Sequence, residues 1–222
     1  MGEASASELD GADVRRLAEC LAGGGVALFP TDTVYGVGCD PEDEDAVGRL
    51  YELKGRSLAR PSAVMFFDRD RALTALPELG DAEREAVEAL LPGPVALLLP
   101  NRAHRFPLAC APGGAGSDAL GLRVPALSAG LAALRAVPGA VMQSSANISG
   151  GADARRLADV PKSLLEGVDL VLDGGELSGT PSTVVDLRDY ERLGVWRVVR
   201  QGALPISALE RLLDGPPPML AS

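Results

Sequence analysis

The stretch ALFPTDTVYG, residues 27–36, changes from apolar to polar within a few positions. Ala27, Leu28 and Phe29 predict a short buried strand, which Pro30 ends. Hydroxyl and carboxyl side chains follow at once, in the segment 31–35. Polar groups at the carboxyl end of a buried strand are typical of small-molecule sites in α/β sheets, although a plain polar turn after a core strand gives the same pattern.

The composition indicates a globular chain. It has 222 residues, 46% of them hydrophobic, with a mean hydropathy of +0.12, which favours one domain with a full core. Its three cysteines are widely spaced with no Cys-x-x-Cys pair, which is typical of a reducing compartment. The first residues show no signal peptide and no apolar run is long enough to span a membrane, so we expect a cytoplasmic protein without membrane association.

The charge is unevenly distributed. A net charge of −10 disfavours a broad nucleic-acid-binding surface, so we expect weak or no direct nucleic-acid binding. An acidic cluster at 40–45 predicts the beginning of a helix. Lys54, Arg56 and Arg60 follow without an acidic residue until Asp68, which suggests a pocket for an anion; a solvated basic loop is the alternative.

Alternating patterns predict an α/β fold with a mixed, largely parallel sheet whose last strands could be antiparallel. Helical spacing is found at 13–22, 43–53, 69–76, 82–91, 127–136, near 153–166 and at 206–213. Strand patterns are found at 26–29, 62–67, 95–99, 119–124, 140–145, 168–173, 182–187 and 194–199. We expect the domain to span 13–203, with 1–12 and 204–222 as peripheral tails.

Common catalytic motifs are missing. The sequence has no G-x-x-x-x-G-K-[ST] loop, no G-x-G-x-x-G between strand and helix, and no G-x-S-x-G elbow. The glycine-rich PGGAGSDALG (112–121) precedes a strand and is interpreted as a loop. The one histidine, His104, lies in a polar segment, and the few cysteines give no zinc ligand set, so we expect no metal bound by protein side chains alone.

Polar residues at predicted strand ends are the remaining candidates. Each is weak by itself, since a charged or hydroxyl residue at a strand end is commonly the edge of the core. They are Lys54 and Arg56 in LKGR, Arg123 in LRVP, Ser144, Ser145 and Asn147 in MQSSANISG, Ser182 and Thr183 in GTPSTVV and Arg200 in RVVRQG.

The motifs PTDTVYG, KGR, PGP, RVP, SSAN-x-SG, PSTVVD and RQG, in this order over residues 13–203, resemble the YrdC-type L-threonylcarbamoyladenylate synthases. The resemblance implies a twisted α/β sheet around a deep, positively charged cavity. It also implies a reaction in which L-threonine, bicarbonate and ATP give threonylcarbamoyl-AMP and pyrophosphate for the t6A modification of tRNA. A later transferase of that pathway is then a possible partner. The chain ends about twenty residues after RQG, as in the short, single-domain form.

The resemblance also implies roles for individual residues. Such a reaction needs positioning, exclusion of water and cations more than proton transfer. Lys54, Arg56, Ser145 and Asn147 are the expected catalytic set, and they hold ATP together with Arg60 and Arg200, with Mg²⁺ on the phosphates. Thr31, Thr33, Arg123 and Ser182 are expected to bind threonine. Arg123 would pair with the threonine carboxylate; the alternative is that it pairs with an acidic residue at the sheet edge.

The chain departs from the family pattern at several positions. Ser57 and Arg60 stand where members commonly have proline and lysine, and Met65 stands where many have histidine. The Ser-Pro-Thr stretch after SSAN-x-SG is replaced by GGADARRL. Two rival functions remain: a non-catalytic nucleotide- or RNA-binding module that acts as a ribosome or tRNA factor, and the carbamoyl-transfer domain of hydrogenase-maturation proteins, which are longer and cysteine-rich.

Overall fold

The computed structural model describes residues 8–57, 59–110, 118–213 and 219–220. Most of the glycine-rich loop predicted at 112–121 and of the proline-rich tail lies outside these residues. The described strands are β1 (Ala27–Phe29), β2 (Gly36–Cys39), β3 (Ala63–Met65), β4 (Val95–Pro100), β5 (Ala119–Arg123), β6 (Val141–Ser145), β7 (Leu170–Val171), β8 (Thr183–Asp186), β9 (Arg197–Arg200) and β10 (Met219–Leu220). The described α-helices are α1 (Gly11–Ala22), α2 (Glu44–Leu53), α3 (Arg69–Ala75), α4 (Asp81–Leu90), α5 (Pro107–Cys110), α6 (Lys162–Gly167), α7 (Tyr190–Leu193) and α8 (Ile206–Leu212).

The first three helices begin at aspartate caps. The carboxylates of Asp10, Asp43 and Asp68 accept hydrogen bonds from backbone N–H groups in the first turns of α1, α2 and α3. The acidic cluster at 40–45 therefore marks a helix beginning, as predicted. Among the residues described, no helix is both long and apolar enough to cross a membrane.

The strands form one mixed sheet in the order β10-β9-β8-β4-β5-β3-β6-β2-β1-β7. Within the described ranges five neighbouring pairs are antiparallel and four are parallel. The predicted mixed sheet is confirmed, but its largely parallel character is wrong. The chain returns from β1 into β2 over a short connection, which makes an antiparallel pair, and β8 and β9 are antiparallel with α7 in the connection between them.

Two further expectations are corrected, and one strand was missed. The strand β2 was not predicted, because its GVGC sequence resembles a turn. The helix expected near 153–166 is an extended segment with a 3-10 turn at Leu157–Asp159, and α6 begins only after Pro161. Over Ala129–Ala136 the chain forms a 3-10 helix where an α-helix was expected.

The two faces of the sheet are covered differently. Alternate residues such as Val64, Leu97 and Leu122 point to one face, where most of the helices pack in a continuous core. Phe29, Met65 and their same-face neighbours point to the other face, where a smaller core forms against α1 and the 3-10 helix Ala129–Ala136. This second core covers only the half of that face nearest β1 and β6. The remaining half forms the floor of a cavity.

The segments outside 13–203 also contribute to packing. Leu9 is buried in the smaller core, and its backbone N–H donates to the carbonyl of Gly130. Leu209 of α8 is fully buried in the larger core. The domain boundary stays a prediction, but these flanking residues pack against the sheet and its helices.

Candidate active site

A cavity of about 350 Å³ lies over the uncovered half of the sheet. Its floor consists of small or apolar side chains from four neighbouring strands: Ala63, Ala96, Leu98, Gly121 and Val184. Each of these residues alternates with a neighbour that points into the large core on the opposite face. Because Ala63, Ala96 and Gly121 are small, the side chains on this face leave room for the cavity above the sheet.

The lining carries excess positive charge. Four arginines, Arg56, Arg123, Arg188 and Arg200, reach the cavity, and Asp153 is the one carboxylate among the described lining residues. Low-dielectric walls strengthen the potential of such charges. The cavity therefore favours an anion. In the part of the chain that the structure describes, no three His, Cys, Asp or Glu side chains form a metal-binding group.

Arg123 is held rigidly in the cavity wall. It lies in the middle of the sheet, paired with Met65 of β3 and Ala96 of β4, and only 3% of its surface is exposed. Its Nη2 atom donates to Asp32 Oδ1 at 2.6 Å and to Thr33 Oγ1 at 2.6 Å. Burial lowers the pKa of Arg123, and the neighbouring Asp32 carboxylate opposes this effect. An arginine stays charged under these conditions, so the group is a fixed cation.

The threonines of the opening stretch position Arg123 and do not line the cavity. Thr31 and Thr33 are fully buried, and the Thr31 hydroxyl donates to the carbonyl of Val34 at 2.7 Å. Both hydroxyls accept hydrogen bonds from Arg123. Asp32 is anchored as well, because its Oδ2 atom accepts from the Ala126 backbone N–H at 3.0 Å. The carboxylate partner considered for Arg123 at the sheet edge is thus present, inside the same stretch.

Arg56 forms another part of the cavity wall. Its Nη1 atom donates to Ser144 Oγ at 3.1 Å, and its Nη2 atom donates to the carbonyl of Pro61. The guanidinium lies 5.8 Å from the centre of the Tyr51 ring, a cation–π distance. Burial lowers the pKa of Arg56. Ser144 and Ser145 at the end of β6 line the cavity beside it.

Lys54 lies behind this wall, not in the cavity lining. It is 1% exposed, and its ammonium donates to the carbonyl of Ser145, to the carbonyl of Asn147 at 2.8 Å and to Asn147 Oδ1 at 3.1 Å. Burial, aided by the positive charge of Arg56, lowers the pKa of Lys54 to about 8. All three ammonium hydrogens are therefore used to hold the 145–147 turn.

Asn147 is the centre of the same network and is also outside the lining. Its Oδ1 atom accepts from Ser145 Oγ at 3.0 Å as well as from Lys54. Its Nδ2 atom donates to the Gly151 carbonyl at 2.7 Å and to Asp153 Oδ1 at 3.2 Å. This arrangement fixes Ser145 and Asp153, which both face the cavity.

The remaining predicted residues differ in whether they reach the cavity. Ser182 is buried and lines the cavity, and its carbonyl accepts from Arg200 Nη2 at 2.8 Å. Arg200 is exposed and reaches the rim. Arg60 is exposed and is not part of the lining; its carbonyl accepts from the Tyr51 hydroxyl. Met65 is fully buried in the smaller core.

Sequence reasoning missed four lining or supporting residues: Asp32, Gln143, Asp153 and Arg188. Asp32 stands between the two threonines in the sequence, and its negative charge was a usable signal for a partner of the predicted arginine site. Gln143 alternates with Ser145 on β6, which places both on one face. Arg188 follows β8 and pairs with Asp186 at 2.7 Å. Asp153 lies in a loop with no periodic pattern.

Comparison with known proteins places this geometry in a family. The sequence profile of the Sua5/YciO/YrdC family, whose description reads "Telomere recombination", matches residues 19–202. A Nitrosococcus oceani protein named threonylcarbamoyl-AMP synthase is 34% identical over 182 residues, covering 81% of this chain and 96% of that protein. A Pyrococcus abyssi protein of the same name is 28% identical over 201 residues, which are 90% of this chain.

A solved structure supports the same family membership. The crystal structure of P. abyssi Sua5 complexed with L-threonine superposes with a TM-score of 0.80 at 25% identity and covers 96% of this chain. The chain spans 57% of the length of the P. abyssi sequence relative and 60% of this crystallised chain. The twisted mixed sheet with flanking helices is therefore the fold that the motifs predicted. With the profile matching most of its length, the chain belongs to the Sua5/YciO/YrdC family.

Proposed function

We propose that the chain is a threonylcarbamoyl-AMP synthase, which converts L-threonine, bicarbonate and ATP into threonylcarbamoyl-AMP and pyrophosphate for the t6A modification of tRNA. The observation that carries the proposal is that one cavity on a single sheet face brings together two anion-binding groups. They are the rigidly held cation Arg123 and the wall formed by Arg56 with Ser144 and Ser145. The relatives named above carry the same activity in their names.

The cavity wall around Arg123 is the proposed threonine site. A planar guanidinium suits an amino-acid carboxylate, and Arg123 is held in place before the substrate arrives. Asp32, Thr31 and Thr33 supply this rigidity from below. Ser182 lines the neighbouring wall and offers a hydroxyl to the substrate. Thr31 and Thr33 thus act as positioning residues for threonine binding.

The cavity wall around Arg56 is the proposed phosphate site. Arg56, Ser144 and Ser145 face the cavity directly, and Arg200 contributes a cation at the rim. Lys54 and Asn147 act by holding the 145–147 turn. The floor of Ala96, Leu98 and Val184 is apolar and is the proposed surface for the adenine ring. Arg60 lies outside the lining and gives at most a long-range contribution.

The chemistry fits a site without a histidine. The threonine amine attacks CO₂ derived from bicarbonate, and the resulting carbamate attacks the α-phosphate of ATP, releasing pyrophosphate. A positively charged, partly enclosed cavity stabilises the developing charge and protects the labile carbamate from water. Mg²⁺ on the ATP phosphates neutralises part of their charge when bound. The hydroxyls and the one carboxylate found among the described lining residues suit an ion that arrives with the phosphates and keeps several waters.

A turnover assay tests the function. Purified protein is incubated with ATP and Mg²⁺, and pyrophosphate release is measured with and without threonine and bicarbonate. We expect release only when both are present. Release that is independent of threonine, or none at all despite nucleotide binding, would contradict the proposal and favour the non-catalytic binding module. In a cell we place the activity in the cytoplasm, with a later t6A transferase as the receiver of the product.

A further inference from the structure

Asp153 stands out electrostatically in the cavity. The four arginines among the described lining residues favour an anion, whereas the carboxylate of Asp153 repels phosphate groups. In the described part of the chain no Lys, Arg or His nitrogen lies within ion-pair distance of this carboxylate, which accepts a hydrogen bond from the neutral amide of Asn147. A carboxylate so placed beside a phosphate site is expected to meet a cation that comes with the substrates.

The position of Asp153 is fixed by its neighbours. Asn147 Nδ2 donates to Asp153 Oδ1 at 3.2 Å, and the backbone carbonyl of the next residue, Ala154, accepts from the Tyr35 N–H at 2.9 Å. Through Asn147 the carboxylate belongs to the same network as Ser145, whose hydroxyl donates to Asn147 Oδ1. Asp153 is therefore linked to Ser145, which belongs to the proposed phosphate site.

We propose that Asp153 is a ligand of the magnesium ion that ATP carries into the cavity. This assignment rests on the proposed function and names one residue of its phosphate site. Magnesium in nucleotide sites is held by one or two carboxylates together with phosphate oxygens and water, and one carboxylate beside the hydroxyl of Ser145 provides that donor set. Asp153 lies in GGADARRL, where this chain departs from the family pattern.

Two other roles for Asp153 predict different behaviour. The carboxylate could receive the threonine amine, which is also cationic when protonated. It could also act only on the protein, by balancing the charge of buried Lys54, whose pKa it raises slightly against the effect of burial. The first role concerns threonine affinity and the second concerns stability. Neither makes ATP binding depend on Mg²⁺ through Asp153.

The experiment measures the affinity of the full chain for a non-hydrolysable ATP analogue by calorimetry, once with Mg²⁺ and once with EDTA. The wild type is expected to bind the magnesium complex more tightly than the free analogue. Asp153→Asn keeps the hydrogen bond from Asn147 and removes the charge, so we expect this advantage to fall about tenfold. Binding without metal is expected to be unchanged or tighter, because a negative charge has left the anion site. Asp70→Asn on α3, where the side chain is 85% exposed, is the matched control and keeps the full advantage.

Several results would overturn the assignment. It fails if Asp153→Asn keeps the wild-type magnesium advantage. It also fails if the variant loses threonine affinity while that advantage stays, because the amine is then the ligand. Should Asp153→Asn not fold, Asp153→Ser and the relaxation of water protons by Mn²⁺ bound with the analogue give the same comparison. A wild type that binds no nucleotide at all overturns the proposed function, which separates that failure from failure of the Asp153 assignment.

Discussion

Arg56→Ala is the most informative single perturbation of the phosphate site. Arg56 is half-buried on a loop, and it contacts Ser144, the Pro61 carbonyl and the Tyr51 ring. None of these partners belongs to a buried ion pair, so the variant is expected to fold. Because they already hold the guanidinium in place, little ordering is required when a phosphate binds.

The magnitude follows from the charge and the distance. A phosphate at about 4 Å from a guanidinium gains about 4 kcal/mol at an effective dielectric constant of about 20. Removing water from both groups reduces this to the net value of a charge-assisted hydrogen bond, about 1.5–3 kcal/mol. Arg56→Ala is therefore expected to weaken binding of a non-hydrolysable ATP analogue about 10- to 100-fold.

Calorimetric titration in the presence of Mg²⁺ measures this effect, with far-ultraviolet circular dichroism as the check on folding. Arg60→Ala is the matched control, because Arg60 belongs to the same loop but is exposed and outside the cavity lining. We expect it to change the affinity less than about twofold. The reasoning is refuted if a folded Arg56→Ala binds like the wild type, or if Arg60→Ala costs as much as Arg56→Ala.

Three further predictions concern stability, threonine and the cavity floor. Since burial lowers the pKa of Lys54 from 10.5 to about 8, the unfolded chain holds this proton more tightly. The wild-type unfolding free energy therefore gains up to about 3 kcal/mol between about pH 8 and pH 10.5, and Lys54→Met lacks this gain in denaturation curves. Arg123→Ala raises the Michaelis constant for threonine far more than that for ATP, and equal threonine dependence in Arg123→Ala and wild type would exclude the carboxylate contact. The same variant lowers the unfolding free energy by about 3–5 kcal/mol, because it leaves Asp32 buried without its partner. Ala96→Leu fills part of the cavity floor and weakens ATP-analogue binding at least about tenfold. The melting temperature changes little, because residue 96 faces the cavity and not the core, and unchanged affinity would place the adenine base elsewhere.

Sequence patterns predicted the elements whose two faces differ clearly. Arg123 alternates with Leu120 and Leu122, so the strand and the outward direction of the arginine could both be deduced. The strand β2 could not, because glycines at 36 and 38 conceal its pattern. A Cβ atom at Gly38 would lie 2.6 Å from the Met142 carbonyl oxygen, so the close packing of β2 requires glycine here. The same glycine hides the strand pattern in the sequence.

The site was predicted as a set of residues but not as a set of roles. A lysine in KGR suggests an exposed cation, and nothing local indicates that Lys54 is buried against the 145–147 turn. That contact joins residues more than ninety positions apart, and only the paired strands bring them together. Asp153 was missed for the same reason, since its significance comes from the arginines around it and not from its own segment.

The central claim is that both substrates react in this one cavity with a carbon supplied by bicarbonate. Mass spectrometry of the product formed from ATP, L-threonine and ¹³C-labelled bicarbonate tests it most directly. We predict an adenylate that contains threonine and whose mass increases with the label. A threonyl adenylate without the labelled carbon, or no adenylate from a protein that binds ATP and threonine, would contradict the account.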